Sequence, residues 1–103
     1  MDLHDNQLES LPDSLSELTR LTRLNLGHNR LTTLPRAIYS LKELQVLQMN
    51  NNQIESIDEQ ICEINMLNNL NLAHNKIKVN NLKLNITFIL MRLLRAFLAL
   101  WDF

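Results

Sequence analysis

LTRLNLGHNRLTTLP (Leu21–Pro35) places leucine at 21, 24, 26, 31 and 34, with Asn29 between the second and third of its leucine groups. Leu24-Asn25-Leu26 alternates apolar and polar side chains, the period-two pattern of a short strand with one buried face. Asn29 stands just past that alternation, where the chain turns. Outward from this stretch the spacing recurs every 23 residues. Leu3, Leu26, Met49 and Leu72 superimpose, as do Asn6, Asn29, Asn52 and Asn75, and Leu8, Leu31, Ile54 and Ile77. The same shift aligns Leu15, Ile38 and Ile61; Leu18, Leu41 and Ile64; Leu21, Leu44 and Leu67; and Leu24, Leu47 and Leu70. Apolar character is kept in these columns while the residues between them vary.

Each unit reads L-x-x-L-x-L-x-x-N-x-L-x-x-L, which resembles the leucine-rich repeat over residues 1–78. Leu11-Pro12 and Leu34-Pro35, followed by Leu15 or Ile38, further resemble the short 23-residue class of Ras-group, scribble-like and bacterial leucine-rich repeat proteins. The third copy departs, with Ile57-Asp58 in place of Leu-Pro, and the fourth has Asn80 where the leucine would stand. The resemblance implies a non-catalytic module for protein–protein interaction, of the kind used in signal transduction, that binds its partner on a concave face.

The spacing itself leads to an α/β solenoid. About twenty residues separate successive strands, too many for a hairpin, so the strands run parallel with a crossover between them. Within the crossovers Leu15, Leu18 and Leu21, then Ile38, Leu41 and Leu44, then Ile61, Ile64 and Leu67 recur every third residue. That stripe faces inward on a short helical or 3₁₀ turn on the convex side. Asp13 or Ser14 is expected to cap the first turn, with Pro12 and Pro35 fixing the approach of the chain. Residues 1–78 form the repeats, the first one incomplete, and residues 79–103 a degenerate repeat ending in an apolar C-terminal helix.

Asn6, Asn29, Asn52 and Asn75 read as a structural ladder, because each turn holds backbone groups that an amide can satisfy and that would each cost ~1–3 kcal/mol if buried unpaired. The residues left to face a partner occupy the concave columns. These are Asp2, Asn25, Gln48 and Asn71; His4, Gly27, Asn50 and Ala73; and Asp5, His28, Asn51 and His74, with Arg23, Val46 and Asn69 beside them. The candidate partner-binding set is Arg23, Asn25, His28, Val46, Gln48, Asn50, Asn51, Asn69, Asn71 and His74. Its many amides offer donors and acceptors without the desolvation cost of full charges.

Other chemistries find little support. One glycine in 103 residues leaves no phosphate-binding loop, and ten Lys and Arg against eleven Asp and Glu give no basic field for nucleic acid. No Gly-x-Ser-x-Gly, His-Glu-x-x-His or Cys-x-x-Cys motif is present, so no catalytic role and no cofactor is expected. His28 and His74 share a column two repeats apart, ~10 Å at the usual strand spacing, too far for one zinc. The lone Cys62 cannot form an internal disulfide and is expected near the convex surface as an inert thiol. Met1–Asp5 has no signal-peptide pattern, which points to a cytoplasmic location and makes the Asn85-Ile86-Thr87 sequon a chance match.

Both ends depart from the repeat. The chain starts in mid-repeat without a polar cap, an expectation either of a fragment of a longer array or of another chain, a second copy included, covering that edge. Toward the other end, Leu84 to Trp101 reads as a helix with Asn85, Arg92, Arg95, Ala99 and Asp102 on one narrow stripe. Ten Leu, Ile and Phe residues there favour membrane insertion by ~3–6 kcal/mol, and Arg92 and Arg95 oppose it by ~5–7. A helix capping the core is therefore preferred to a membrane role through Leu84 to Phe103. The alternatives to a concave-face module are a membrane-associated adaptor and a truncated part of a larger repeat-containing signalling protein.

Overall fold

The computed structural model describes residues 1–77, apart from the side chains of Glu59 and Cys62. The expected C-terminal helix, the degenerate repeat of 79–103, the sequon and the side chain of Cys62 lie outside the described residues. Three strands, β1 (Arg23–Asn25), β2 (Val46–Gln48) and β3 (Asn69–Asn71), form a parallel sheet in the order β1-β2-β3. Their register pairs Arg23 with Val46 and Asn69, Leu24 with Leu47 and Leu70, and Asn25 with Gln48 and Asn71, a constant step of 23 residues. A parallel bridge from Asp2 to Asn25 adds the first repeat to the same sheet.

Between strands run three 3₁₀ helices, Asp13–Glu17, Arg36–Ser40 and Glu59–Glu63. Their geometry follows from the three-residue stripe. A 3₁₀ helix has three residues per turn, so side chains at i and i+3 eclipse, whereas an α-helix would rotate the same stripe off the core. In the second repeat the N–H of Ile38 donates to Pro35, that of Leu41 to Ile38, and that of Leu44 to Leu41, at 3.0, 3.0 and 3.1 Å. The other two repeats use the same chain of bonds, through Leu15, Leu18 and Leu21 and through Ile61, Ile64 and Leu67. The residues that form the apolar stripe thus also carry the backbone bonds that shape it.

Two expectations about these helices are corrected. Neither Asp13 nor Ser14 caps the first one: Pro12 holds the N-cap position at φ −67° with no side-chain cap bond, and Pro35 does the same at φ −58°. Proline's fixed φ already sets the approach, so no side-chain acceptor is needed to define it. A side-chain cap exists in the third repeat, where Asp58 replaces proline and accepts from the Gln60 N–H at 3.0 Å. Leu18, expected to face inward, is 42% exposed, because it lies in the first repeat and meets packing from one side, whereas its counterparts Leu41 and Ile64 are buried.

The core lies between the sheet and the 3₁₀ helices. Leu24, Leu47 and Leu70 stack from strand to strand, followed by Leu26, Met49 and Leu72 and by Leu31, Ile54 and Ile77, all buried. Ile38, Leu41 and Leu44 close it from behind. Leu3, Leu8, Leu11 and Leu21 of the first repeat are only partly buried against it.

Candidate functional site

The surface opposite this core is set by strand alternation. While Leu24, Leu47 and Leu70 point inward, Asn25, Gln48 and Asn71 emerge on the other side of the sheet, half-buried and in register. Pairing continues beyond the strands: the Leu26 N–H donates to Gln48 O at 2.7 Å, His28 to Asn50 O at 2.9 Å, and Asn51 to Ala73 O at 2.9 Å. The columns that follow the strands are therefore held as firmly as the strands. Arg23, His28, Asn69 and His74 are exposed, and Val46, Asn50 and Asn51 are half-buried. The whole candidate set lies on one continuous face, and Gly27 and Ala73 are buried within it, on either side of Asn50.

Several of these side chains also serve the backbone. Asn25 Oδ1 accepts from the Gly27 N–H at 2.9 Å, Asn71 Oδ1 from Ala73 at 3.0 Å, and Asp2 Oδ1 from His4 at 3.2 Å. These are Asx turns that close the strands. Gln48 breaks the column with a longer side chain, and in its repeat Asn50 Nδ2 instead donates to Asn51 Oδ1 at 2.9 Å. Asn50 leans over Gly27: a Cβ at that position would meet Asn50 Oδ1 at 2.9 Å and Asn25 Oδ1 at 3.2 Å. Glycine here makes room for the amide of the next repeat.

The column of Asp5, His28, Asn51 and His74 has a backbone origin that the sequence reading missed. All four adopt positive φ, at 57°, 55°, 58° and 57°. Asn, Asp and His are the non-glycine residues most often found in that left-handed region, so the turn restricts what the column can hold. The readable signal was the recurrence of those three types one residue before the ladder asparagine.

The asparagines that follow reach into the stack. Asn52 Nδ2 donates to the carbonyls of Leu26 (2.9 Å), Met49 (3.1 Å) and Asn50 (3.3 Å), and its Oδ1 accepts from the Leu31 N–H at 3.0 Å. Asn29 makes the equivalent bonds to Leu3, Leu26 and Gly27 and accepts from Leu8. Asn75 does so with Met49, Leu72 and Ala73 and accepts from Ile54. Each of these joins its own turn to the repeat before it. Asn6 is exposed and bonds within its own turn, to Leu3 and His4. Among the described residues no buried side-chain nitrogen or oxygen lacks a partner.

At the first-repeat end of the face His4 sits between two carboxylates, its Nδ1 against Asp2 Oδ1 and its Nε2 3.2 Å from Asp5 Oδ2. Asp5 Oδ1 is 3.9 Å from His28 Nδ1. The hydrogen bond that the His4 ring donates to Asp2, then the negative charges of Asp2 and Asp5, raise the His4 pKa. The same hydrogen bond, with that from the His4 backbone N–H, lowers the pKa of Asp2. Both ring nitrogens face carboxylates, an arrangement that favours the doubly protonated ring. Among the described residues no three His, Cys, Asp or Glu side chains are grouped to hold a metal ion, and no helix is long and apolar enough to cross a membrane.

The sequence matches the family model for the leucine rich repeat over residues 1–54, just over half of the chain. Among solved structures it is similar to a leucine-rich repeat protein of Leptospira interrogans, with 30% sequence identity and a TM-score of 0.76, the likeness covering 92% of this chain and 24% of that one. The chain thus spans about a quarter of the length of that structure. No curated protein matches the chain.

Proposed function

The chain belongs to the leucine-rich repeat family, and we propose that it is a non-catalytic, cytoplasmic interaction module that binds a protein partner on the concave face of its sheet. One observation carries the reading: Asn25, Gln48 and Asn71 stand in strict register on a sheet whose other face is fully committed to the core. A rigid array of amides presents donors and acceptors at fixed spacing, so a partner meets a surface whose ordering cost has already been met by folding. Arg23, Asn69, Asn50, Asn51, His28 and His74 extend it on both sides. Protein is favoured over nucleic acid as the partner, since ten basic against eleven acidic residues supply no phosphate-neutralising excess.

Site-specific photocrosslinking tests this reading. A photoreactive residue at Gln48 should trap the partner in a defined adduct, and one at Glu43, exposed after the second 3₁₀ helix, should not. A stronger adduct from Glu43 than from Gln48 would place the interface on the convex side and overturn the proposal.

A further inference from the structure

The turns that close the strands fix which way the concave amides point. Asn25 Oδ1 accepts from the Gly27 N–H at 2.9 Å and Asn71 Oδ1 from the Ala73 N–H at 3.0 Å. A backbone N–H only donates, so the side-chain atom facing it is the oxygen, and in both residues the Nδ2 group is left for the outer surface. Asn51 follows the same pattern, its Oδ1 taken by Asn50 Nδ2 at 2.9 Å. The turn itself does not require an amide. Asp2, in the same column, closes the turn of the first repeat with a carboxylate oxygen, accepting from the His4 N–H at 3.2 Å. Asparagine at 25 and 71 therefore adds N–H donors that the turn does not use.

Charge agrees with this polarity. From Arg23 to His74 the concave columns hold one arginine and two histidines and no carboxylate. Arg23 is exposed two residues before Asn25 on β1, and among the described residues its guanidinium enters no ion pair. Asp2 and Asp5 lie at the first-repeat end of the face, where both meet the His4 ring. Such a surface suits a ligand with more acceptors than donors. Ionised carboxylates accept without donating, and the guanidinium fork matches their geometry. Phosphates suit it less, since neutralising several of them takes several permanent cations and the face has one.

We propose that the partner docks through an extended acidic segment, its aspartate and glutamate carboxylates accepting from Asn25 Nδ2, Asn71 Nδ2 and the Arg23 guanidinium. The inference rests on the concave-face reading above and names the chemistry of what that face receives. The register holds Asn25, Gln48 and Asn71 in one row across three strands, so the donors stand at fixed spacing before the segment arrives. Gln48, with no turn to close, turns its amide either way and serves a main-chain N–H or C=O of the same segment.

The test is an NMR titration of the full chain, following backbone and side-chain amides, with hexaglutamate blocked at both ends, alongside hexaglutamine and hexalysine. Six extended residues reach ~20 Å, enough to cross three strands spaced ~4.8 Å apart. Hexaglutamate should give saturable shifts at Arg23 and at the side-chain amides of Asn25 and Asn71, and the other two peptides should not. The net charge of the chain is −1, so bulk attraction does not supply this preference. Asn25→Asp with Asn71→Asp keeps the oxygen that each turn needs, as Asp2 does, and replaces the donor, so it should abolish saturation in a folded chain. Arg23→Gln should weaken hexaglutamate about tenfold, the loss of one charge-assisted hydrogen bond. Absence of saturation, or unchanged hexaglutamate affinity in the double variant, would overturn the assignment. Equal binding of hexaglutamine at the same residues would overturn it while leaving the concave interface standing, because crosslinking from Gln48 reads that face whatever charge the partner carries.

Discussion

The side chain of Asn52 holds four backbone groups belonging to two repeats, and it does so in a site only 7% exposed. Replacing it with alanine leaves those groups buried without partners, so Asn52→Ala should lower stability by ~1–3 kcal/mol. Gln48→Ala, on the concave surface, should stay within ~0.5 kcal/mol of the parent, and Asn6→Ala, whose bonds are exposed and local, should resemble it. Chemical denaturation separates these variants, and coincident midpoints would contradict the role given to the asparagine. One residue earlier the constraint is conformational. Asn51 has φ 58°, so Asn51→Val should cost ~1–2 kcal/mol through left-handed strain, whereas Asn51→Gly should be close to neutral. Equal stability of the two variants would show that φ is not what the column selects. The asparagine column was readable from sequence because one residue type recurs at one spacing. Its neighbour was missed although Asp, His and Asn recur there, because His28 and His74 look like surface side chains until the backbone angle is known.

At the scale of the element, the three-residue stripe allowed a helical or a 3₁₀ connection, and the structure takes the 3₁₀ form, which keeps Ile38, Leu41 and Leu44 on one line. The capping assignment failed for an equally local reason: Pro12 and Pro35 perform with a fixed φ what Asp58 performs with a carboxylate. The first strand position carries a different local device, the Asp2–His4–Asp5 bridge. His4 is raised, so its contribution to stability is complete below the unfolded histidine pKa and is lost as pH rises through the higher folded value. Asp2 is lowered, so its contribution is complete above the unfolded aspartate pKa and is lost as pH falls through the folded value. Both are present between roughly pH 4 and 6.5. An NMR titration of the His4 imidazole should give a midpoint above the ordinary histidine value, and Asp2→Asn should bring it down. An unchanged midpoint in that variant would mean that the bridge does not form in solution.

At the scale of the molecule, each repeat among the described residues touches only its neighbours, and the sheet, the asparagine bonds and the 3₁₀ stripe all cross the same junctions. This redundancy is why the solenoid could be read from spacing alone, with Met49, Ile54 and Ile77 accepted in leucine columns. Function is less legible, because the concave residues answer to two demands at once. Asn25 and Asn71 close Asx turns as well as facing outward, and Asp5, His28, Asn51 and His74 satisfy a backbone angle. Gln48, Val46 and Asn69 carry no such bond among the described residues and so report most cleanly on recognition. The decisive measurement is partner affinity for two double variants of matched size, Gln48→Glu with Asn69→Glu on the concave face and Lys42→Glu with Glu43→Lys on the convex side, after circular dichroism shows both to be folded. The concave pair should weaken binding by about tenfold or more, since burying an uncompensated charge at an interface costs upward of ~1.4 kcal/mol, and the convex pair should leave it near the parent value. Loss of binding in the convex pair, with the concave pair unaffected, would contradict the account.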